Sequence, residues 1–125
     1  MAKKPLSGKG CRRKGHGFER LVAKVLRSRA CTYPSASRGN QSNPNVTVPD
    51  VDGTPFWIEC KRTKISPKIQ AALVQASNDA KAANDTRPPL AITKQDGKPI
   101  VVSMYMPTFI EMLNTPEKFI SCGKR

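Results

Sequence analysis

The sequence predicts an α/β domain in which helices flank a mixed β-sheet, and three observations predict it. Segments with helical and strand periodicity alternate as helix, two or three strands, helix, two strands, helix, the pattern of helices layered on a sheet. The strands pair off around two turn signals, Asp52-Gly53 and Asp96-Gly97. The 125 residues suffice for one modest core and fall short of two domains of ordinary size.

Residues 1–15 are rich in Lys, Arg and Gly and hold one leucine, too little apolar surface to offset the entropy of ordering. A flexible basic arm is therefore expected ahead of a single domain over 16–125. Across 16–29, Phe18, Leu21, Val22, Val25 and Leu26 recur at helical offsets and form one apolar face, with Arg20, Lys24 and Arg27 opposite. Glu19 falls at the margin of that arc, beside Val22 and Leu26, an unusual place for a carboxylate. Residues 30–37, interrupted by Pro34, read as a first strand, and 38–45 as a polar, mobile loop. Residues 46–51 and 56–61 read as a hairpin. Ser66-Pro67 supplies an N-cap and a proline at the first helical position, opening a helix over 67–84 striped by Ile69, Ala72, Leu73, Ala76, Ala80 and Ala83. Residues 90–93 and 100–105 form the second hairpin, and a short helix over 108–114 closes the domain. Met104, Tyr105, Met106, Phe109, Ile110 and Met112 form an apolar cluster that belongs either to the core or to a dimer seam.

Charge narrows the function. There are 22 Lys+Arg against 9 Asp+Glu, and of the net +13 the first 68 residues carry +11. A field of that sign steers polyanions and gains from counterion release on nucleic acid. Arg12, Arg13, Lys14, Arg20, Lys24, Arg38, Arg62, Lys64 and Lys68 are the expected phosphate contacts. No apolar run spans a bilayer and no secretory signal is visible, so an intracellular protein without a membrane partner is expected. Cys11, Cys31, Cys60 and Cys122 lack paired spacing and His16 is the sole histidine, which excludes zinc-finger chemistry and favours free thiols. Any catalysis leans on carboxylates and lysines.

Asp50 ends one strand of the first hairpin, and Glu59 and Lys61, two apart on the next, share a face. Phosphodiester hydrolysis needs its growing phosphoryl charge neutralised and a hydroxide near neutral pH, both of which a divalent metal provides. Asp50, Glu59 and the carbonyl of Cys60 offer the hard oxygen ligands that Mg²⁺ prefers, with Mn²⁺ as a substitute, and Lys61 suits the attacking water. Asp52 offers a second carboxylate, and a plain Glu59–Lys61 ion pair is the competing reading. Trp57 shares their face, where it packs in the core or stacks on a base.

Pro49-Asp50, followed after eight residues by Glu59-Cys60-Lys61, resembles the PD-(D/E)xK nuclease signature, whose superfamily has a restriction-endonuclease-like α/β core. Within it, the run from Lys14 through Gly15, His16, Gly17 and Phe18 to Glu19 and Arg20 resembles the helix that opens archaeal-type and phage Holliday junction resolvases. That resemblance implies a metal-dependent endonuclease acting as a homodimer on branched DNA, with Glu19 as an additional acid holding the metal through water. It also implies a helper role for Ser37 in the Ser35 to Gly39 stretch, and a glutamine on the second helix supporting the lysine or the phosphate, Gln75 or else Gln70. A repair-type or restriction-type nuclease shares these ligands, and a non-catalytic nucleic-acid coat protein shares only the charge.

Overall fold

A computed structural model describes residues 8–28, 33–40 and 45–120, with side chains in the first helix described from Gly15 onward. Helix α1 spans Gly8–Ser28, so residues 8–15 of the expected arm are helical backbone. Lys and Arg are good helix formers, and once the amphipathic segment is wound each added residue brings a hydrogen bond at little cost. Residues 1–7 of the expected arm lie outside the described residues.

The buried face of α1 is rotated from the expected one. Phe18, Glu19, Val22 and Ala23 are buried and Leu26 is half-buried, while Leu21 and Val25 face water. An ion pair from Glu19 to the sheet, described below, holds that side of the helix inward. Burying Phe18 and Val22 contributes about 1.5–3 kcal/mol each.

The sheet has five strands in sequence order: β1 (Ser37–Arg38), β2 (Val51–Asp52), β3 (Trp57–Thr63), β4 (Pro89–Gln95) and β5 (Ile100–Ser103). Every neighbouring pair is antiparallel except β3 and β4, which run parallel with Glu59 beside Ala91 and Lys61 beside Thr93. A parallel pair needs a crossover, and helix α2 (Ile69–Ala82) supplies it. The first strand is far shorter than expected because Pro34 sits in a turn, with residues 29–32 outside the described stretch. Residues 46–49 are irregular rather than strand, since Pro49 has no N–H to give a ladder. The turn signals hold: Gly53 and Gly97 adopt φ of +82° and +77°.

Helix α2 is capped by Lys68, without a side-chain cap bond, and not by Ser66; the Pro67 carbonyl instead accepts the Ile69 N–H at 3.1 Å. Helix α3 (Met106–Asn114) starts earlier than expected, with a proline in its first turn, and a 3₁₀ turn at Pro116–Lys118 follows. Side chains alternate across β3. Ile58 and Cys60 join Phe18, Val22, Val51 and Ile92 under α1, where Phe56 stacks on Phe119 at 5.4 Å between centroids. Trp57 packs on Ala76 and Ala80 of α2, which puts Glu59 and Lys61 on the α2 face as well. Met104 and Met112 pack on the core, whereas Met106, Phe109 and Ile110 are exposed. Among the described residues no helix is long and apolar enough to cross a membrane.

Candidate active site

Strands β2 and β3 pair through Val51 and Ile58, and one residue further along each strand stand Asp50 and Glu59. At this fork Asp50 itself continues the ladder. Its N–H donates to the Ile58 carbonyl at 2.9 Å, and its Oδ2 accepts the Cys60 N–H at 2.8 Å. The N–H and C=O of one strand residue project to the same side, so the Cys60 carbonyl is aimed at the edge where the Asp50 carboxylate lies. Gly39 secures the position: its N–H donates to the Asp50 carbonyl at 2.9 Å, and a Cβ there would stand 1.9 Å from the Pro49 carbonyl oxygen. Glycine is required because the backbone passes too close for any side chain.

Glu59 is 5% exposed, and burial, reinforced by the charge on Asp50, pushes its carboxyl up to about 7 against the opposing pull of Lys61. Lys61 Nζ lies 3.2 Å from Glu59 Oε2, so the ion pair forms, but the lysine side chain stays 41% exposed and reaches the solvent side. Glu19, on α1, is 9% exposed and accepts a 2.9 Å hydrogen bond from Arg38 Nε. Burial and then Asp50 raise its carboxyl above the usual range, with Arg38 and His16 pulling the other way. The Cys60 thiol is free, buried and pushed up by desolvation and by the surrounding carboxylates, so what this residue offers at the edge is its main-chain carbonyl. Cys11, Cys31 and Cys122 have side chains outside the described residues.

The remaining candidates separate cleanly. Asp52 belongs to another cluster: Arg87 Nη1 reaches its Oδ1 at 2.7 Å while also gripping Asp85 and the Thr54 carbonyl. The same guanidinium lies 5.6 Å over the Trp57 ring, and Trp57 is fully buried, a core residue with no face for a base. Ser37 is exposed and pairs in register with Asp52, away from Asp50. Gln75 lines a cavity of about 310 Å³ together with Lys61 and Lys68, and Gln70 does not. Of the basic set, Arg20, Lys24, Lys64 and Lys68 are exposed, Arg62 pairs with Asp96 at 3.3 Å, and Arg38 is engaged by Glu19. The side chains of Arg12, Arg13 and Lys14 lie outside the described residues.

Two structural arginines escaped the sequence reading. Arg38 was readable only as a surface cation, although a buried Glu19 demands one nearby; Arg87 meets Asp52 across 35 residues with no local signal at all. Among the described residues no three His, Cys, Asp or Glu side chains form a cage for a metal ion. Mg²⁺ does not ask for one: it takes one or two carboxylates, keeps several waters and completes its shell on substrate phosphate. Asp50 and Glu59, two close carboxylates of which the second is raised by burial and then by the charge of the first, fit that demand.

A family model described as "Phage putative PDDEXK endonuclease" matches residues 10–122. No curated protein and no solved structure matches the chain. The matched stretch contains Glu19 and the whole fork from Asp50 to Lys61, and spanning nearly the full chain it makes this protein a member of that phage PDDEXK endonuclease family, within the PD-(D/E)xK nuclease superfamily and its restriction-endonuclease-like α/β fold.

Proposed function

We propose that the protein is a Mg²⁺-dependent, structure-specific DNA endonuclease, accepting Mn²⁺ as a substitute, whose substrate is branched DNA of the four-way-junction type. The observation that carries this reading is the fork itself: Asp50 beside Glu59, with Lys61 two residues on and open to solvent. Asp50, Glu59 and the Cys60 carbonyl would hold the cation, with Glu19 behind Asp50 contributing through water. When bound, the cation would supply neutralisation of the phosphoryl charge and a water acidic enough to ionise near neutral pH. Lys61 Nζ, anchored on Glu59 Oε2, orients that water and screens the phosphate; Gln75, across the shared cavity, holds the lysine or the phosphate in place. Ser37, exposed on the strand beside β2, would help by a contact to the approaching phosphate.

Two features support branched DNA cut by a homodimer. The exposed cations Arg20, Lys24, Lys64 and Lys68 suit the phosphate backbone, whose path reports DNA shape and not base sequence. The edge strand β5 exposes Ile100 and Val102 on one side and helix α3 exposes Met106, Phe109 and Leu113, an apolar surface without Lys or Arg on either element that suits a second copy better than DNA. Paired incisions across a twofold junction need two such sites.

The test incubates the protein with a labelled four-way junction and a matched duplex, with Mg²⁺, Mn²⁺ or EDTA, beside Glu59→Ala. Symmetric nicks in the junction alone, lost in EDTA and in the variant, are expected. Equal cutting of both DNAs removes the junction specificity, and tight binding with no cutting removes the catalytic reading.

A further inference from the structure

Ile65 is 74% exposed, more than any other large apolar side chain among the described residues. A lone exposed isoleucine is common on protein surfaces. Its setting is what distinguishes this one. Ile65 shares the 310 Å³ cavity with Lys61, Thr63, Lys68, Ala72 and Gln75, so the apolar side chain stands at the rim of the space that the catalytic lysine enters. It is flanked by Lys64 and Lys68, both exposed, in a stretch from Lys61 to Lys68 that holds four cations and no acid. The loop is also held: Thr63 Oγ1 donates to the Ile65 carbonyl at 2.6 Å, and the Thr63 carbonyl accepts the Asp96 N–H at 2.9 Å.

A basic loop draws the nucleic-acid backbone in, and an apolar side chain carried at its tip on a held backbone finds an apolar partner there in the faces of the bases. We propose that Ile65 is a wedge that enters the base stack beside the scissile phosphate, with the cavity behind it receiving the displaced nucleotide. Apolar side chains inserted at a base step partly unstack it and kink the duplex, at a cost lowest where the stack is already broken. The wedge thus makes the enzyme selective for branched, gapped or mismatched DNA without any base-specific contact. This rests on the nuclease reading above and assigns it a specificity-determining residue; Lys61 keeps its chemistry.

The test reads unstacking separately from cleavage. With EDTA present and protein in saturating excess, 2-aminopurine is placed in turn at each position flanking the branch of a four-way junction, and at matching positions of a duplex. Wild-type protein and Ile65→Leu are expected to raise the fluorescence severalfold at one position, and Ile65→Ser to leave it at the free-DNA level with affinity within about twofold. With Mg²⁺, Ile65→Ser is expected to cut a fully paired four-way junction about tenfold more slowly than wild type, and a junction carrying an unpaired base at that step at the wild-type rate. No fluorescence rise with wild type, or an equal rise with Ile65→Ser, overturns the wedge. Absence of cutting by every variant with either metal instead defeats the nuclease reading, while the fluorescence still decides the wedge.

Discussion

The fork between β2 and β3 buries the carboxylates of Glu19 and Glu59, whereas the edge formed by β5 and α3 leaves Val102, Met106, Phe109 and Leu113 in water. Each region reverses the usual sorting of side chains. A buried carboxylate without full compensation raises its own pKa, and Glu59 does so. An exposed apolar face keeps an unfavourable contact with water that only a partner relieves. On the function proposed above the fork takes a cation and the edge a second copy, and no Lys or Arg on β5 or α3 invites DNA to compete for the edge.

The largest effect expected is at the fork. Lys61→Ala, Glu59→Ala and Asp50→Asn should each lower single-turnover cleavage by about 10³-fold, the scale of losing one preorganised group at a developing charge. Binding in EDTA should hold for Lys61→Ala and hold or tighten for the two carboxylate variants, because DNA then meets less negative charge. Cleavage surviving all three at near wild-type rate would remove the fork from the chemistry.

At the edge, Phe109→Glu combined with Leu113→Glu should raise the dimer dissociation constant about 30-fold, ~2 kcal/mol, as loss of central apolar anchors does. Sedimentation across a concentration series reads this directly. Both side chains are exposed, so the melting temperature of the monomer should stay put. A wild-type chain that stays monomeric at high concentration, alone and on junction DNA, would break the edge half of the comparison.

A smaller effect links the fork to stability. Glu59 titrates near 7 in the folded chain against 4.5 for an ordinary glutamate, so the native state holds more protons than the unfolded one between those values. Its contribution is full below pH 4.5 and is lost as pH rises through about 7. In EDTA, wild type should therefore lose about 2 kcal/mol relative to Glu59→Gln between pH 5 and pH 8, measured by urea denaturation of both proteins. Mg²⁺ at pH 8 should restore the difference in wild type alone. A parallel pH course for the two proteins would show that the fork holds no excess of negative charge.

The layout of helices and strands, the two glycine turns and the Asp50 and Glu59-x-Lys61 pair were legible because each rests on local periodicity or short spacing. Glu19 was legible too, as a carboxylate out of place on an amphipathic helix. What escaped depends on contacts between distant segments. The bond from Arg38 to Glu19 joins two elements, and the bond from Arg87 to Asp52 joins residues 35 apart, so neither leaves a local pattern in the sequence. The rotation of α1 that exposes Leu21 and Val25 buries Ala23 beside Phe18 and Val22 and brings Glu19 to Arg38, a contact that no count of apolar residues includes.

The finest test separates cations by what already holds them. Lys64 and Lys68 are exposed beside the fork and make no ion pair among the described residues, so each is free to replace a condensed counterion on DNA. Lys64→Ala and Lys68→Ala should each reduce the slope of log binding constant against log salt by about 0.9. Arg62 is shared with Asp96, so Arg62→Ala should change the slope by less. Lys118, at the far end and bonded to Glu111 at 2.6 Å, should leave it untouched. The ordering matters more than any single value. If Lys118→Ala flattened the slope as much as Lys68→Ala, DNA would be reaching the α3 side, and the division between a charged fork for nucleic acid and an apolar edge for protein would fail.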